Sequence, residues 1–406
     1  YPNQPDTVTI LDYFRYEGYQ VAGAGKIFHH TAGNHPPNQW HAFQRLIFRD
    51  DPWFRGVKLN YPWSSPAPNP KGFPFSGVNG LGHENDWGSL EIPEALYDDA
   101  SSVDFAVDFL KADHARPFFL ACGLFRPHLP WYVPKSYFDL YPLEEVVVPE
   151  VKPEDLNDVP AEGRQFAKAR RSDLKNIQDA GRHREAVRAY LASISFADAQ
   201  LGRVLDGLAE SRYAETTVVV FWSDHGWHLG EKNHWHKTTL WEEATRVPFI
   251  ITAPGYSPGV CRRAVSLIEL YPTLVDLCGL TVPKGLDGLS LKSLLNNPDG
   301  EWHRPAVTEF KKGNAAVRTD RYRYIRYRNG GEELYDHRND PKERTNLATR
   351  SHHAEIKKKL AEHLPLGWAD SASTKSAFTF DPETFTWTHR KSGEVISGAR
   401  KGSEPR

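Results

Sequence analysis

Three apolar runs in this 406-residue chain each break into residues able to do chemistry. The run at 218–222 ends in Ser223-Asp224-His225-Gly226, and Lys237 follows in a segment that also carries His228, His234 and His236. The run at 19–23 leads to Lys26, His29 and His30, and the run at 118–124 leads to Arg126-Pro127-His128. Asp224 offers a hard oxygen ligand suited to Ca²⁺ or Mg²⁺, and His225 completes such a shell or serves a softer metal. Lys26, Lys237 and the imidazoles are cationic donors of the kind that hold a tetrahedral oxyanion while its charge grows. Taken singly, a strand-end Asp is as readily a turn cap, and a lone His is more often structural. Three such ends converging on one sheet edge favour the functional reading. The chain contains no H-E-x-x-H, G-x-S-x-G or P-loop pattern, so nothing supports a zinc protease, an α/β-hydrolase or a nucleotide kinase.

Ligands in doubly wound sheets bind at the carboxyl ends of parallel strands. The elements that position these residues must therefore be such strands. Each run is apolar throughout, and segments of helical periodicity alternate with them at 103–110, 185–208 and 267–277. This predicts an α/β fold with a parallel sheet covered on both faces, to which 249–253 adds a strand. Near the start, Asp6 is the expected cap of a helix with Ile10, Leu11 and Phe14 on one face, ended by Gly18. Residues 34–95, rich in Pro, Gly, Trp and Asn, are expected to be a site-shaping loop region, and 145–182 a polar surface excursion. After residue 300 the pattern changes. Alternation at 323–327, the Asn329-Gly330 turn and the return at 333–335 predict a small antiparallel sheet. A helix over 354–364 and a polar tail with an aromatic patch at Phe385 and Trp387 complete the chain. The expected division is a catalytic domain over 1–300 and a C-terminal subdomain with tail over 301–406.

Hydrophobic residues make up 39% and aromatics 12%, enough for a sizeable core, and the formal charge of −2 argues for neither nucleic acid nor an anionic membrane. No apolar run reaches membrane-spanning length. Cys122, Cys261 and Cys278 lie in no metal-ligand spacing and are read as small buried residues.

The stretch SDHGWHLGEKNHWHK, with TRVPFI after it, closely resembles the sulfatases, in particular the iduronate-2-sulfatase-like branch of the alkaline phosphatase superfamily. GYQVAGAGKIFHH resembles that branch's first Lys/His motif, and PFFLACGLFRPHLPW its His-bearing strand end. SLIELYPTLVDLCGL and ELYDHRNDPKERTNLA resemble its later helix and C-terminal subdomain, so the family's order is kept from about residue 7 to 350. The resemblance implies an alkaline-phosphatase-like, mostly parallel central sheet flanked by helices, with a smaller C-terminal α+β subdomain containing an antiparallel sheet. It implies Asp224 and His225 as metal ligands, for Ca²⁺ ahead of Mg²⁺. Lys26 and His29 match the pair beside the nucleophile, while His128 and Lys237 match the groups that hold sulfate and assist the leaving oxygen. His30, His228, His234 and His236 match no family role and are expected to line a polar pocket rim.

The family's C/S-x-P-x-R motif, source of its formylglycine, and an Asp-Asp metal pair lie upstream of the GYQVAGAGKIFHH region. None of the three cysteines fits that motif, and Ser64-Ser65-Pro66 lacks its arginine. With no methionine in the chain and Tyr1-Pro2-Asn3 at its start, the expectation is that the nucleophile's segment precedes Tyr1 and that the visible chain alone lacks it. The implied activity of the complete protein is sulfuric ester hydrolysis, formylglycine- and Ca²⁺-dependent, on a sulfated carbohydrate or other sulfate ester. Trp40, Trp53, Trp63 and Trp87 offer faces for sugar stacking, and Arg45, Arg49 and Arg55 suit carboxylates or further sulfates. The alternatives are a phosphomonoester or phosphodiester hydrolase of the same superfamily and a catalytically inactive sulfate-binding relative. The family implies a periplasmic, secreted or lysosomal location; no signal peptide is visible, and no oligomeric state is indicated.

Overall fold

The computed structural model describes residues 7–28, 39–44, 74–82, 85–169, 171–368, 378–381, 386–390 and 392–397. In chain order its elements begin with α1 (Ile10–Tyr16), β1 (Gln20–Gly25), β2 (Ala42–Gln44), β3 (Trp87–Leu90), α2 (Asp98–Lys111), β4 (Phe118–Gly123), β5 (Trp131–Pro134) and α3 (Lys135–Asp139). Next come α4 (Ala161–Lys168), α5 (Arg171–Asp179), α6 (His183–Ala209), β6 (Val219–Trp222), β7 (His228–Leu229), β8 (Trp235–His236), α7 (Glu242–Thr245) and β9 (Phe249–Thr252). The chain continues with α8 (Leu270–Leu277), α9 (Lys292–Asn296), β10 (Ala306–Glu309), β11 (Ala315–Arg318), β12 (Tyr322–Arg326), β13 (Glu332–Asp336), α10 (Ala354–Ala361), β14 (Phe378–Asp381), β15 (Thr386–His389) and β16 (Val395–Ser397). They fall into two compact units, one of 1–147, 176–214 and 372–406, the other of 148–175 and 215–371.

The first unit is built on a parallel sheet ordered β2-β1-β4, with Val21 opposite Phe119 and Gly25 opposite Gly123. Helix α2 packs on β1, β4 and α6. The fully buried residues of α2, Ala100, Val103 and Ala106, recur every three residues, and Ala189, Ala192 and Phe196 do likewise on α6 at three and four. Those spacings put one stripe of each helix inward. Phe14 of α1 meets the rings of Tyr19 and Phe119 at 4.9 Å each. The cap of α1 is Thr9, not Asp6, which lies outside the described residues. Thr9 Oγ1 accepts from the Asp12 N–H at 3.2 Å while the Asp12 carboxylate accepts from the Thr9 N–H, a reciprocal box that Asp6 is too far upstream to form. Strands β3 and β5 pair in parallel, and β14, β15 and β16 form an antiparallel sheet over the expected polar tail. Phe385 of the expected aromatic patch lies outside the described residues.

In the second unit β6 pairs, among the described residues, only with β9 and antiparallel, Trp222 opposite Phe249, where the sequence suggested parallel strands. The long polar segment between them lets the chain return in either direction, so apolar content alone could not choose. Strands β10 to β13 form an antiparallel sheet in sequence order, with the Asn329-Gly330 turn where it was expected. Its two faces have different work. Ala315, Val317, Tyr324 and Leu334 cluster with Leu360 of α10 and with Leu364 just after it, while Ala316, Ile325, Tyr327 and Tyr335 pack with Leu156, Phe166, Ala167, Leu240 and Trp241.

The parallel sheet with flanking helices and the antiparallel C-terminal sheet are the expected α/β architecture. The expected surface excursion at 145–182 instead holds α4 and α5, which bury Phe166, Ala167, Leu174 and Ile177. Cys261 is exposed rather than buried, because 256–266 forms no element, and Cys122 and Cys278 are half-buried. Among the described residues no helix is long and apolar enough to cross a membrane.

Candidate active site

Strand β6 delivers Asp224 and His225 through a turn that only glycine can close. Ser223 Oγ donates to the His225 carbonyl at 3.0 Å, and the Gly226 N–H donates to the Ala244 carbonyl at 2.8 Å. A Cβ on Gly226 would sit 2.1 Å from the Glu243 carbonyl oxygen. His225 Nδ1 is 2.8 Å from the Gly226 carbonyl, which can only accept, so that nitrogen carries the proton and Nε2 presents a lone pair. Lys237 Nζ lies 2.7 Å from Nε2, and Asp224 Oδ1 lies 3.6 Å from it. Asp224 is exposed, while His225 and Lys237 are half-buried. The second unit thus brings Asp224, His225 and Lys237 together.

The neighbouring histidines are not a pocket rim. His228 is fully buried and its Nε2 lies 2.9 Å from Thr239 Oγ1. Burial, and secondarily the charge of His234, push its pKa well below the ordinary histidine value. His234, also fully buried, sets Nδ1 2.9 Å from the Ala167 carbonyl and Nε2 2.8 Å from the Lys237 carbonyl. His236 Nε2 lies 2.8 Å from Asp173 Oδ2, and its ring packs 4.7 Å from that of Trp227. Two of these partners, Ala167 and Asp173, lie in α4 and α5, the segment expected from its polarity to be a surface excursion. A cluster of histidines looks like solvent-facing chemistry until its acceptors are known.

In the first unit Lys26 follows β1, and Arg126 to His128 follow β4. Glycines let the two strand ends touch: a Cβ on Gly123 would meet the Lys26 carbonyl oxygen at 2.1 Å, and one on Gly25 the Gly123 oxygen at 2.0 Å. The Lys26 N–H donates to the Gly123 carbonyl at 2.8 Å, and its Nζ lies 5.3 Å from the Phe125 ring centre. The His128 ring packs against the same Phe125 ring, centroids 5.1 Å apart. Its Nδ1 is 2.6 Å from the Leu129 carbonyl, which assigns the proton to Nδ1 and leaves Nε2 as the exchanging atom. The buried Asp99 carboxylate accepts from the N–H groups of Phe125 and Arg126 and so fixes this loop, a role no local motif announces. Lys26 and His128 thus share Phe125. His29, His30, Trp53, Trp63, Arg45, Arg49 and Arg55 lie outside the described residues. Trp40 and Trp87 do not offer sugar-stacking faces: both are buried, Trp40 against Phe43 at 4.7 Å and Trp87 near Trp131 at 6.5 Å.

Glu242, His337 and Glu343 bring ligand atoms within 4.8 Å of one another. Their cation is already supplied. Arg323, buried, donates to the carboxylates of both Glu242 and Glu343, Arg318 Nε donates to Glu242 at 3.1 Å, and His337 Nε2 lies 2.9 Å from Glu343. This is an ion-pair keystone rather than a metal centre. Trp241 beside it donates from Nε1 to Glu333 at 2.8 Å.

The sequence matches the Sulfatase family over residues 2–280 and the family described as N-sulphoglucosamine sulphohydrolase, C-terminal, over 230–366. A curated sulfatase of Formosa agariphila is 34% identical over 93% of this chain and 73% of its own length. Human iduronate 2-sulfatase is 31% identical over 68% of this chain and 55% of its own. Among solved structures, the phosphonate monoester hydrolase of Silicibacter pomeroyi superposes with a TM-score of 0.69 at 21% identity, covering 88% of this chain and 79% of its own.

Proposed function

The chain belongs to the sulfatase family, and on that premise we propose that it removes sulfate from a sulfated carbohydrate, with Asp224, His225, Lys237, Lys26, His29 and His128 as its working residues. The observation that carries this is the His225 ring. Its proton is committed to the Gly226 carbonyl, and its Nε2 lone pair faces Asp224 and Lys237. A metal-bound imidazole is held in the same manner, with its far nitrogen donating to a carbonyl. The donor set of one carboxylate and one imidazole fits Ca²⁺, and Mg²⁺ less well. In this reading the metal supplies charge neutralisation at the sulfuryl oxygens, and a formylglycine, for which 1–406 contain no C/S-x-P-x-R motif, supplies the nucleophile.

The chain's own residues do the rest. Lys237, which here donates to His225, and Lys26 donate to the sulfuryl oxygens as their charge grows. His128, exchanging its proton at Nε2, protonates the departing alcohol. The family names support a sugar: iduronate in one relative and N-sulphoglucosamine in the C-terminal match. Placement in the iduronate-2-sulfatase-like branch, the division at about residue 300, and a periplasmic, secreted or lysosomal location are parts of the same proposal. The phosphonate monoester hydrolase likeness, which concerns fold alone, keeps the phosphorus ester reading as the alternative.

A sulfate monoester carries one negative charge and a phosphate monoester nearly two at neutral pH. One divalent ion with lysines suits the lower charge, whereas two-metal sites clamp both attacking and leaving oxygens. The full-length protein should therefore show a higher kcat/KM for an aryl sulfate than for the matching aryl phosphate. Preference for the phosphate would transfer the assignment to the alternative.

A further inference from the structure

We propose that His234 and His236 are positioning residues for Lys237, braced against Ala167 and Asp173, an inference that rests on the role given to Lys237 above. The backbone around this lysine is held where non-glycine residues rarely go. His236 has φ +89° and Thr238 φ +50°, on either side of Lys237, and Lys232 and Asn233 lie at +56° and +50° a few residues earlier. Such residues persist only where their surroundings over-determine them. The surroundings here are specific.

His234 spans from the Ala167 carbonyl in α4 to the carbonyl of Lys237 itself. His236, the residue before Lys237, is tied to Asp173 in α5 and packs on Trp227, two residues beyond His225. Asn233 Nδ2 adds a bond to the Lys152 carbonyl at 2.8 Å, and buried Lys232 pairs with Asp155 at 3.2 Å. The brace therefore reaches both partners of the 2.7 Å Lys237–His225 contact. His234, His236 and Asp173 are buried away from bulk solvent, and the links that join them to Lys237 are the His234 contact to its carbonyl and the peptide bond from His236. A shift of about 1 Å in a catalytic group can cost on the order of 100-fold in rate.

The test is a double-mutant cycle in the full-length protein with an aryl sulfate. His234→Gln and Asp173→Asn, the latter preserving shape and an acceptor, should each lower kcat about 10- to 100-fold. In a Lys237→Ala background each should cost no more than about twofold, since the group being positioned is gone. Equal factors in the two backgrounds, or no effect in either, would overturn the inference. Melting temperatures show whether His234→Gln is folded, and Asp173→Asn decides the matter if it is not. Should the wild-type protein turn over no sulfate ester, the functional reading falls by itself. The brace is then judged from crystal structures: a Lys237 Nζ–His225 Nε2 contact retained in both variants refutes it.

Discussion

Replacing Arg323 with methionine should strand two carboxylates that are almost entirely shut off from water. The side chains of Arg323 and Glu343 are each 2% exposed and that of Glu242 10%. Removing one member of a buried ion pair costs about 3–5 kcal/mol, because the partner's charge is left uncompensated. Arg318 remains beside Glu242 and His337 beside Glu343, which puts the expectation at the lower end, about 3 kcal/mol. Titration gives a consistent scale. Burial would raise the Glu242 carboxyl, but Arg323, then Arg318 and His337, hold it down at about 2 against an ordinary 4.5. That depression corresponds to about 3 kcal/mol at neutral pH, since each pKa unit is worth about 1.4.

The sign follows directly. A depressed carboxyl contributes its full stability above about pH 4.5 and loses it as pH falls toward 2. Urea unfolding at pH 7 should therefore show Arg323→Met less stable by about 3 kcal/mol, or about 6–12 °C in melting temperature for a unit of this size. The gap should narrow as the pH is lowered below 5, where the stranded carboxylates can take up protons. Adding Glu242→Gln and Glu343→Gln should recover at least half of the loss. A single variant within about 0.5 kcal/mol of wild type, or a triple variant no better than the single, would refute the argument from stranded charge.

Gly226→Ala should destabilise by about 1–3 kcal/mol and abolish turnover, because its Cβ would press on the Glu243 carbonyl and displace Asp224 and His225; denaturant titration and aryl sulfate assay read both effects. Excess Ca²⁺ should raise the melting temperature of the wild-type protein and leave that of Asp224→Asn unchanged, as seen by calorimetry with and without chelator. Lys237→Ala and His128→Ala should each lower kcat about 100-fold or more, with a smaller change in KM, in steady-state kinetics.

What could be read from the chain was what leaves a local mark. Uninterrupted apolar runs located β1, β4, β6 and β9, and Asn329-Gly330 located a hairpin, since each is specified within a few neighbouring residues. Strand direction was not legible for β6 and β9, because pairing is decided by a distant partner. Helices α4 and α5 were hidden by their charge: Phe166 and Ala167, then Leu174 and Ile177, are few apolar positions among many polar ones. At the site, Asp224, His225 and Lys237 were picked out by type and family resemblance. The brace and the Arg323 keystone were invisible because their partners are remote: His236 meets Asp173 across 63 residues, and Arg323 meets Glu242 across 81.

One face of the β10–β13 sheet packs on Trp241, and the Glu242 N–H donates to Glu343, 101 residues later in the chain. At roughly 5–20 residues per second, a ribosome needs on the order of 5–20 s to make that interval. During that time the segment carrying Lys237 can already dock on Ala167 and Asp173, which precede it in the chain. The contacts of Glu242 with Arg323 and Glu343, and the cover of Trp241 by the sheet, must wait until the sheet has emerged, a closure of high sequence separation and so a slow one. A chaperone meeting the nascent chain in that interval would find that side of Trp241 uncovered.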